Sequence, residues 1–508
     1  MRIIILGGGT AGWMTAAALS RFASSVAQIS LVESDAIGTV GVGEATIPHI
    51  RVFNDMLGIA EHDFIQATQA TFKVGIKFEG WGANDSAYYH PFGDHGFSIK
   101  NVGFQHYWLT AKAIADVADF NDFSLANTIA MEERFAYPLA NPDKVESTFS
   151  YAYHLDASAY AKMLRAYSEE RGVTRIEGEV SAVKRNPESG YIQSLLLKNG
   201  QEIAGDLFID CSGFHARLIG KELQVPYISW KDWLPCDRAI AIPSKLRADP
   251  VPYTRSTAKS AGWCWQIPLQ HRQGNGHVFC SDYLDEQTAL DTLLEHIASE
   301  ALAEPRYIRF EAGMRATSWE KNCVAIGLSS GFLEPLESTS IYLIQVGIYK
   351  LLELLPVIED YSLDAHEFNR VVKDEYEKVR DFIILHYWLN HRSEPFWQQC
   401  AAMSLPDSLR HKIDVFKHSG EVVEYEQGLF MSPSWLALYL GQGLHPDTLD
   451  ARLAGLAFSE IKGLVENIPP YLRNIARSMP THRQALQGKK KDIGEHSAAR
   501  LSLYGVRR

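Results

Sequence analysis

Residues 2–33 read RIIILGGGTAGWMTAAALSRFASSVAQISLVE, and this stretch decides the fold. RIIIL (2–6) is a short, mostly apolar run that suits a strand buried on both faces. Gly7 to Gly12 form a glycine turn, MTAAALSRF (14–22) is rich in good helix formers, and QISLVE (28–33) reads as a second strand ending in an acid. Together they predict a βαβ unit. The spacing Gly7-x-Gly9-x-x-Gly12 is weak evidence as a bare pattern. Between a strand and a helix, with Glu33 about 20 residues further on, it becomes a dinucleotide fingerprint. Gly7 permits the tight turn, Gly9 lets a pyrophosphate approach the backbone, and Gly12 lets helix and strand pack closely. Thr10 and Ala11 open the helix, whose free N–H groups and positive dipole end favour phosphate. Glu33 is placed to accept hydrogen bonds from ribose hydroxyls.

Length and composition bound the rest. A chain of 508 residues holds two or three ordinary domains or one large enzyme fold. Hydrophobic residues at 46%, aromatics at 11% and charged residues at 22% exclude disorder as the main state. No apolar run of about 18 residues occurs, which argues against a membrane-spanning helix. The net charge of −12 argues against broad nucleic-acid binding. Cys211, Cys236, Cys264, Cys280, Cys323 and Cys400 contain no C-x-x-C pair, so neither a metal site nor a disulfide framework is expected. The N-terminal apolar run is broken at once by glycines, which disfavours a signal peptide; the expectation is a cytoplasmic protein.

Further strands are expected at 191–197, 206–210 and 323–327. Residues 345–415 read as mostly helical, and helix continues over 436–475 with breaks at Gly441, Gly443, Pro446 and the Pro469-Pro470 pair. The basic end, Lys489-Lys490-Lys491 and Arg507-Arg508, reads as a solvated tail. The fold class expected is α/β: a Rossmann-type FAD-binding domain of the flavoprotein monooxygenase kind, a β-sheet substrate portion and a mainly helical C-terminal region. Residues 1–350 and 351–508 are the two parts.

NAD and FAD are not separated by the fingerprint. DLFIDCSGF (206–214) and NCVAIGLSSGFLEPLEST (322–339) resemble the later flavin-contacting segments of flavoprotein hydroxylases, which favours FAD. No second fingerprint follows a strand, so reduced flavin has to come from a separate NAD(P)H-dependent flavin reductase.

Gly262-Trp263-Cys264-Trp265-Gln266-Ile267-Pro268 matches the G-W-x-W-x-I-P motif in full, and with it the chain resembles the flavin-dependent halogenases of the tryptophan-halogenase family. GGGTAGW (7–13), GVGEATIP (41–48), FKVGIKF (72–78) and EPLEST (334–339) match in the same order; helical similarity continues through Arg380-Asp381-Phe382 and fades beyond about 415. The resemblance implies FADH2, O2 and halide as cofactors. Hypohalous acid is made at the flavin and then travels to a separate site for a small aromatic substrate. Lys73 is implied as the lysine that captures or orients it, with Lys77 as the rival, and Glu337 as the carboxylate that stabilises the arenium and accepts its proton. A helix-capping role is the plainer reading of Glu337. Trp263 and Trp265 are implied beside the flavin, and Val180, Gly327 and Ile341 as further cofactor contacts. His90 and Phe92, within YYHPF (88–92), are implied to sandwich an indole, although a lone histidine more often serves as a hydrogen-bonding residue.

Two departures matter. The family's Thr-Gly, whose backbone N–H groups hold the halide, is Thr339-Ser340 here. Glycine's conformational freedom is lost, so either the backbone there suits an ordinary residue or the halide site is rebuilt; chloride and bromide are both open, and bromide is expected to compete well. After Lys412-Ile413-Asp414 the tyrosine-rich segment that grips the amino acid end of tryptophan is shortened to EVVEYEQGLFMSPSW (421–435), with the single Tyr425. Phe430 and Trp435 are aromatic walls or simply core. The expected substrate is therefore an indole-like or other electron-rich arene, with free tryptophan a poor one. The alternatives are a flavin-dependent aromatic hydroxylase and a flavin-binding protein without turnover.

Overall fold

The computed structural model describes residues 1–36, 43–83, 85–355, 360–424, 428–454 and 456–488, with the side chain of Phe458 excluded. Gly41 and Val42 of the GVGEATIP match, Tyr425 and the basic tail lie outside the described residues.

The opening strand Arg2–Leu6 is the centre of a six-stranded sheet. It runs parallel to Gln28–Glu33 on one side and to Leu207–Asp210 on the other. Thr174–Glu177 extends the first side, and Cys323–Ala325 followed by Trp319–Glu320 the second. Ile3, Ile4 and Ile5 are buried, as a strand covered on both faces requires. The helix Thr10–Phe22 covers one face. Its buried Ala16, Ala17 and Ala18 let the helices Ala157–Glu169 and Ser340–Glu353 pack against it. The strand expected at 191–197 forms at Ile192–Leu197, but in a separate antiparallel sheet with Val180–Arg185 and Glu202–Ala204.

A second sheet of seven strands carries the other half of the molecule, in the order Arg306–Arg309, Arg238–Ser244, Gln273–Phe279, Gly262–Pro268, Thr254–Lys259, Gly75–Glu79, Ala87–Pro91. A small sheet in which Ala152–Asp156 pairs with both Gly43–Ala45 and Thr71–Lys73 adjoins it. The helix Ser432–Gly441 packs on the edge strand Ala87–Pro91, and the 27-residue helix Ser362–Trp388 runs behind both. Among the described residues, no helix is long and apolar enough to cross a membrane. All six cysteines are buried and unpaired.

The Pro469-Pro470 break is corrected: one helix spans Phe458–Ser478 through both prolines. Each proline removes a hydrogen bond and costs up to about 3 kcal/mol in a helix interior. Ile461, Val465, Leu472 and Ala476 keep an apolar stripe buried across the pair, and that packing carries the helix through.

Gly262 opens the G-W-x-W strand with φ +150°, and a Cβ there would lie 2.0 Å from the Val278 carbonyl oxygen. Gly262→Ala is expected to lower stability by about 2–4 kcal/mol, because both the backbone angle and a rigid β-ladder oppose it. Urea unfolding monitored by far-UV circular dichroism measures this; an unchanged midpoint would show that the ladder yields.

Candidate active site

Two glycines of the loop are fixed by close backbone packing. Gly7 takes φ +112°, and a Cβ on it would meet the Cys211 carbonyl at 2.3 Å; a Cβ on Gly12 would lie 1.8 Å from the Gly7 carbonyl oxygen. Gly9, by contrast, faces open space. It caps the helix Thr10–Phe22 without any side-chain cap, and no acid sits in the first turn. An anion is therefore the fitting occupant. At the end of the neighbouring strand Glu33 holds Arg175 Nε through Oε1 at 2.6 Å. Its Oε2 leans over Gly8, where a Cβ would be 1.4 Å away. These residues fit the dinucleotide part of FAD. Gly327, at φ +79°, abuts Ala11, and Ile341 is buried in the first turn of the helix Ser340–Glu353. Val180 begins its strand just after Gly178, whose N–H donates to the Glu33 carbonyl.

Lys73 ends the strand Thr71–Lys73 and is completely buried. Its Nζ donates to the Thr46 carbonyl at 3.0 Å and to Ser338 Oγ at 2.8 Å, and lies 4.9 Å from the Phe92 ring centre. Burial pushes its pKa down to about 7, against the opposing pull of Glu337. Lys77, one strand further on, is different: it is partly exposed and pairs with Glu79 at 2.8 Å.

Glu337 sits in a short helical turn, Pro335–Glu337, that ends at Ser338 in a left-handed conformation with φ 59°. That turn aims the carboxylate inward and the Ser338 hydroxyl at Lys73. Glu337 Oε2 lies 2.7 Å from His90 Nδ1, and Oε1 lies 2.7 Å from His386 Nε2. Burial would raise its pKa, but the two imidazoles win and hold it at about 2. His90 Nε2 in turn meets Ser434 Oγ at 2.6 Å. His90 is thus tied at both nitrogens, the hydrogen-bonding role that the sequence weighed against stacking. Its ring stands tilted toward Phe382 and Phe430, at 5.5 and 5.9 Å. Phe430 stacks on Phe382 at 3.9 Å and Trp435 meets Phe382 edge-on, so these two residues of the shortened segment line this cluster.

Thr339 and Ser340 begin the helix Ser340–Glu353. Of the two alternatives for position 340, an ordinary backbone is the one found. The left-handed residue is Ser338, whereas Ser340 takes ordinary helical angles that any residue adopts. A cavity of about 30 Å³ lies among Gly327, Leu333, Ser340 and Ile344.

Trp263 and Trp265 project from one face of the strand Gly262–Pro268 with ring centres 6.0 Å apart. Trp263 Nε1 donates to Glu334 Oε2 at 3.1 Å, and the Tyr387 hydroxyl donates to the same oxygen. Burial raises the Glu334 pKa to about 7. Neither Glu334 nor His386 was found from the sequence. Glu334 lies inside the EPLEST match and had a signal; His386 sits on a long helix where nothing local marks it.

The site has two parts, a Rossmann-type nucleotide cradle and a separate cluster of a buried lysine and a buried carboxylate. The sequence profile described as tryptophan halogenase matches residues 2–457. The tryptophan 6-halogenase SttH of Streptomyces toxytricini is 37% identical over 470 residues, covering 87% of this chain and 89% of its own. A flavin-dependent halogenase from Xanthomonas campestris has 46% identity and a TM-score of 0.92, over 96% of this chain and 97% of its own. One from a Brevundimonas species has 44% identity and the same TM-score, over 96% and 98%. The chain belongs to the tryptophan halogenase family and is a flavin-dependent halogenase, an enzyme that uses FAD and halide.

The Lys73 pKa carries a stability consequence with a definite sign. An unfolded lysine titrates near 10.4, so between pH 7 and about 10.4 the unfolded chain binds a proton that the folded chain does not. Stability therefore gains about 1.4 kcal/mol per pH unit from this site as pH rises through that window, and nothing below it. Relative to Lys73→Met, native protein is expected to improve from pH 7 to 10 in urea unfolding. Parallel curves for the two proteins would refute the depressed pKa.

Proposed function

We propose that the enzyme uses FADH2, O2 and chloride or bromide to make hypohalous acid, and that Lys73 passes the halogen to an indole-like or other electron-rich arene. The observation that carries this reading is the complete burial of Lys73, with its ammonium near neutrality, against Ser338 and beside Glu337. Gly7, Gly9, Thr10, Ala11, Gly12 and Glu33, with Val180, Gly327 and Ile341, would hold the reduced flavin, whose electrons would activate O2, the oxidant of the halide. Thr339 and Ser340 present backbone N–H groups at a buried helix start, next to a cavity with room for about one small ion.

A neutral Lys73 amine attacks the halogen of hypohalous acid, forming an N–X bond and releasing water. The arene then takes the halogen, and its ring proton passes to Glu337 and restores the amine. An ammonium at Lys73 would instead hydrogen-bond the hypohalous oxygen; the pKa near 7 makes both forms accessible. His90 and Phe92 flank these groups and suit a flat ring. Trp263 and Trp265 form a wall on the flavin side that keeps substrate from the cofactor, which favours halogenation over aromatic hydroxylation. The proposal includes a separate NAD(P)H-dependent flavin reductase, a cytoplasmic location, and a C-terminal helical part, 351–508, that covers the substrate site.

Lys73→Ala is expected to abolish halogenation while FAD binding and peroxide release persist. Lys77→Ala, which loses only its pairing with Glu79, should retain most activity. Product mass spectrometry with reduced FAD decides; a dead Lys77 variant beside an active Lys73 variant would reverse the assignment.

Free tryptophan is expected to turn over more slowly than indole. Burying its two charges without partners costs several kcal/mol, and the segment 421–435 offers apolar Phe430 and Trp435 where the ring would enter. Bromide is proposed to compete well on one ground, its easier dehydration and oxidation, since Ser340 adopts no special backbone. Equal concentrations of indole and tryptophan in mixed halide test both; faster tryptophan conversion would sink the substrate reading.

A further inference from the structure

His386 is fully buried on the helix Ser362–Trp388, and nothing in the chemistry above requires it. Its surroundings fix more than its position. The side-chain amide of Gln442 donates from Nε2 to the His386 backbone carbonyl at 3.3 Å and to the Tyr88 hydroxyl oxygen at 3.1 Å. Turning the amide over would set its oxygen against that carbonyl, so the orientation is determined. Tyr88 Oη thus accepts from Gln442, and its own hydrogen is free to go to His386 Nδ1, 2.8 Å away. A neutral imidazole that accepts at Nδ1 carries its hydrogen on Nε2. That nitrogen lies 2.7 Å from Glu337 Oε1, close but not yet aligned for a straight hydrogen bond. Catalytic hydrogen bonds commonly tighten only when substrate is bound. The ring plane is held by Phe78, stacked at 4.6 Å, and by Phe382, edge-on at 5.4 Å.

We infer that His386 is a positioning residue: its Nε2–H, locked in that tautomer by Tyr88 and Gln442, keeps Glu337 ionised and turned toward the substrate site. His90 supplies the other donor: an ionised carboxylate only accepts, so Nδ1–H points to Glu337 Oε2 and Nε2 accepts from the Ser434 hydroxyl. The titratable groups acting on Glu337 are His90 and Tyr88 from the strand Ala87–Pro91, Lys73 from the strand Thr71–Lys73, and His386 itself. Burial and Glu337 act on the His386 ring in opposite senses, and burial prevails, lowering its pKa; a neutral donor beside an anion is the resulting state. A carboxylate that loses one of two donors in a dry site becomes easier to protonate. Halogenation, which on the reading proposed above needs the anion, then fails at a higher pH.

Two measurements test this on the full-length protein. Nitrogen-15 NMR of histidine-labelled protein, with His386→Gln used for assignment, should show His386 as the neutral Nε2–H tautomer. Tyr88→Phe should lose that preference without changing circular dichroism or FAD binding. With reduced FAD, bromide and indole as the probe, Tyr88→Phe should move the acid limb of bromination up by about one pH unit while KM for indole and peroxide release stay unchanged. His386→Gln, which keeps an N–H near the Nε2 position, should retain more activity than His386→Ala. An Nδ1–H tautomer in native protein, or superimposable acid limbs for native and Tyr88→Phe, would overturn the inference. If native protein brominates no indole, the functional reading fails instead, and the tautomer measurement still decides the role of His386.

Discussion

The central constraint is the burial of one lysine. An ammonium removed from water costs several kcal/mol, and among the described residues Lys73 has no ion pair at contact distance to offset it. The Thr46 carbonyl, the Ser338 hydroxyl and the face of Phe92 are what hold it, and each comes from a different part of the chain. The site is therefore held in a strained electrostatic state by the whole fold. A lysine that titrates near neutrality is the result, with amine and ammonium both accessible near pH 7.

One loop connects the two halves of the molecule. The strand Cys323–Ala325 belongs to the nucleotide sheet, and the chain after it passes Gly327, Glu334, Glu337, Ser338 and Thr339 before entering the helix Ser340–Glu353. Gly327 touches the glycine-loop helix, Glu334 holds Trp263, Ser338 holds Lys73, and Glu337 meets two histidines. Any shift of this loop is felt on the cofactor side and the lysine side together. Close packing makes such coupling stiff.

The two carboxyl groups of that loop show how environment divides like residues. Glu334 is surrounded by Trp263 and Tyr387, and burial leaves it easily protonated; Glu337 is flanked by imidazoles and stays an anion. Three residues apart, they end up in different charge states. The easily protonated one braces an aromatic wall, and the ionised one is flanked by His90 and His386.

Much of this was legible locally. A glycine turn has to follow steric rules whatever surrounds it, so the βαβ unit, the cradle at Gly7, Gly9 and Gly12 and the acid at Glu33 could be read from residues 2–33 alone. The family followed from the heptapeptide at 262–268 and the ordered matches around it. Sequence reasoning went wrong where packing overruled local preference: the proline pair stayed inside a helix because its apolar stripe is buried. At Ser340 two backbones were open, and the left-handed turn at Ser338 leaves the ordinary one. What only the tertiary structure decided was which polar groups meet. His386, Gln442 and Ser434 carry no mark in the sequence, and the match at 88–92 says nothing of what Tyr88 does, since these roles depend on distances of about 3 Å across hundreds of residues of chain, and those distances exist only once the sheets and helices have packed.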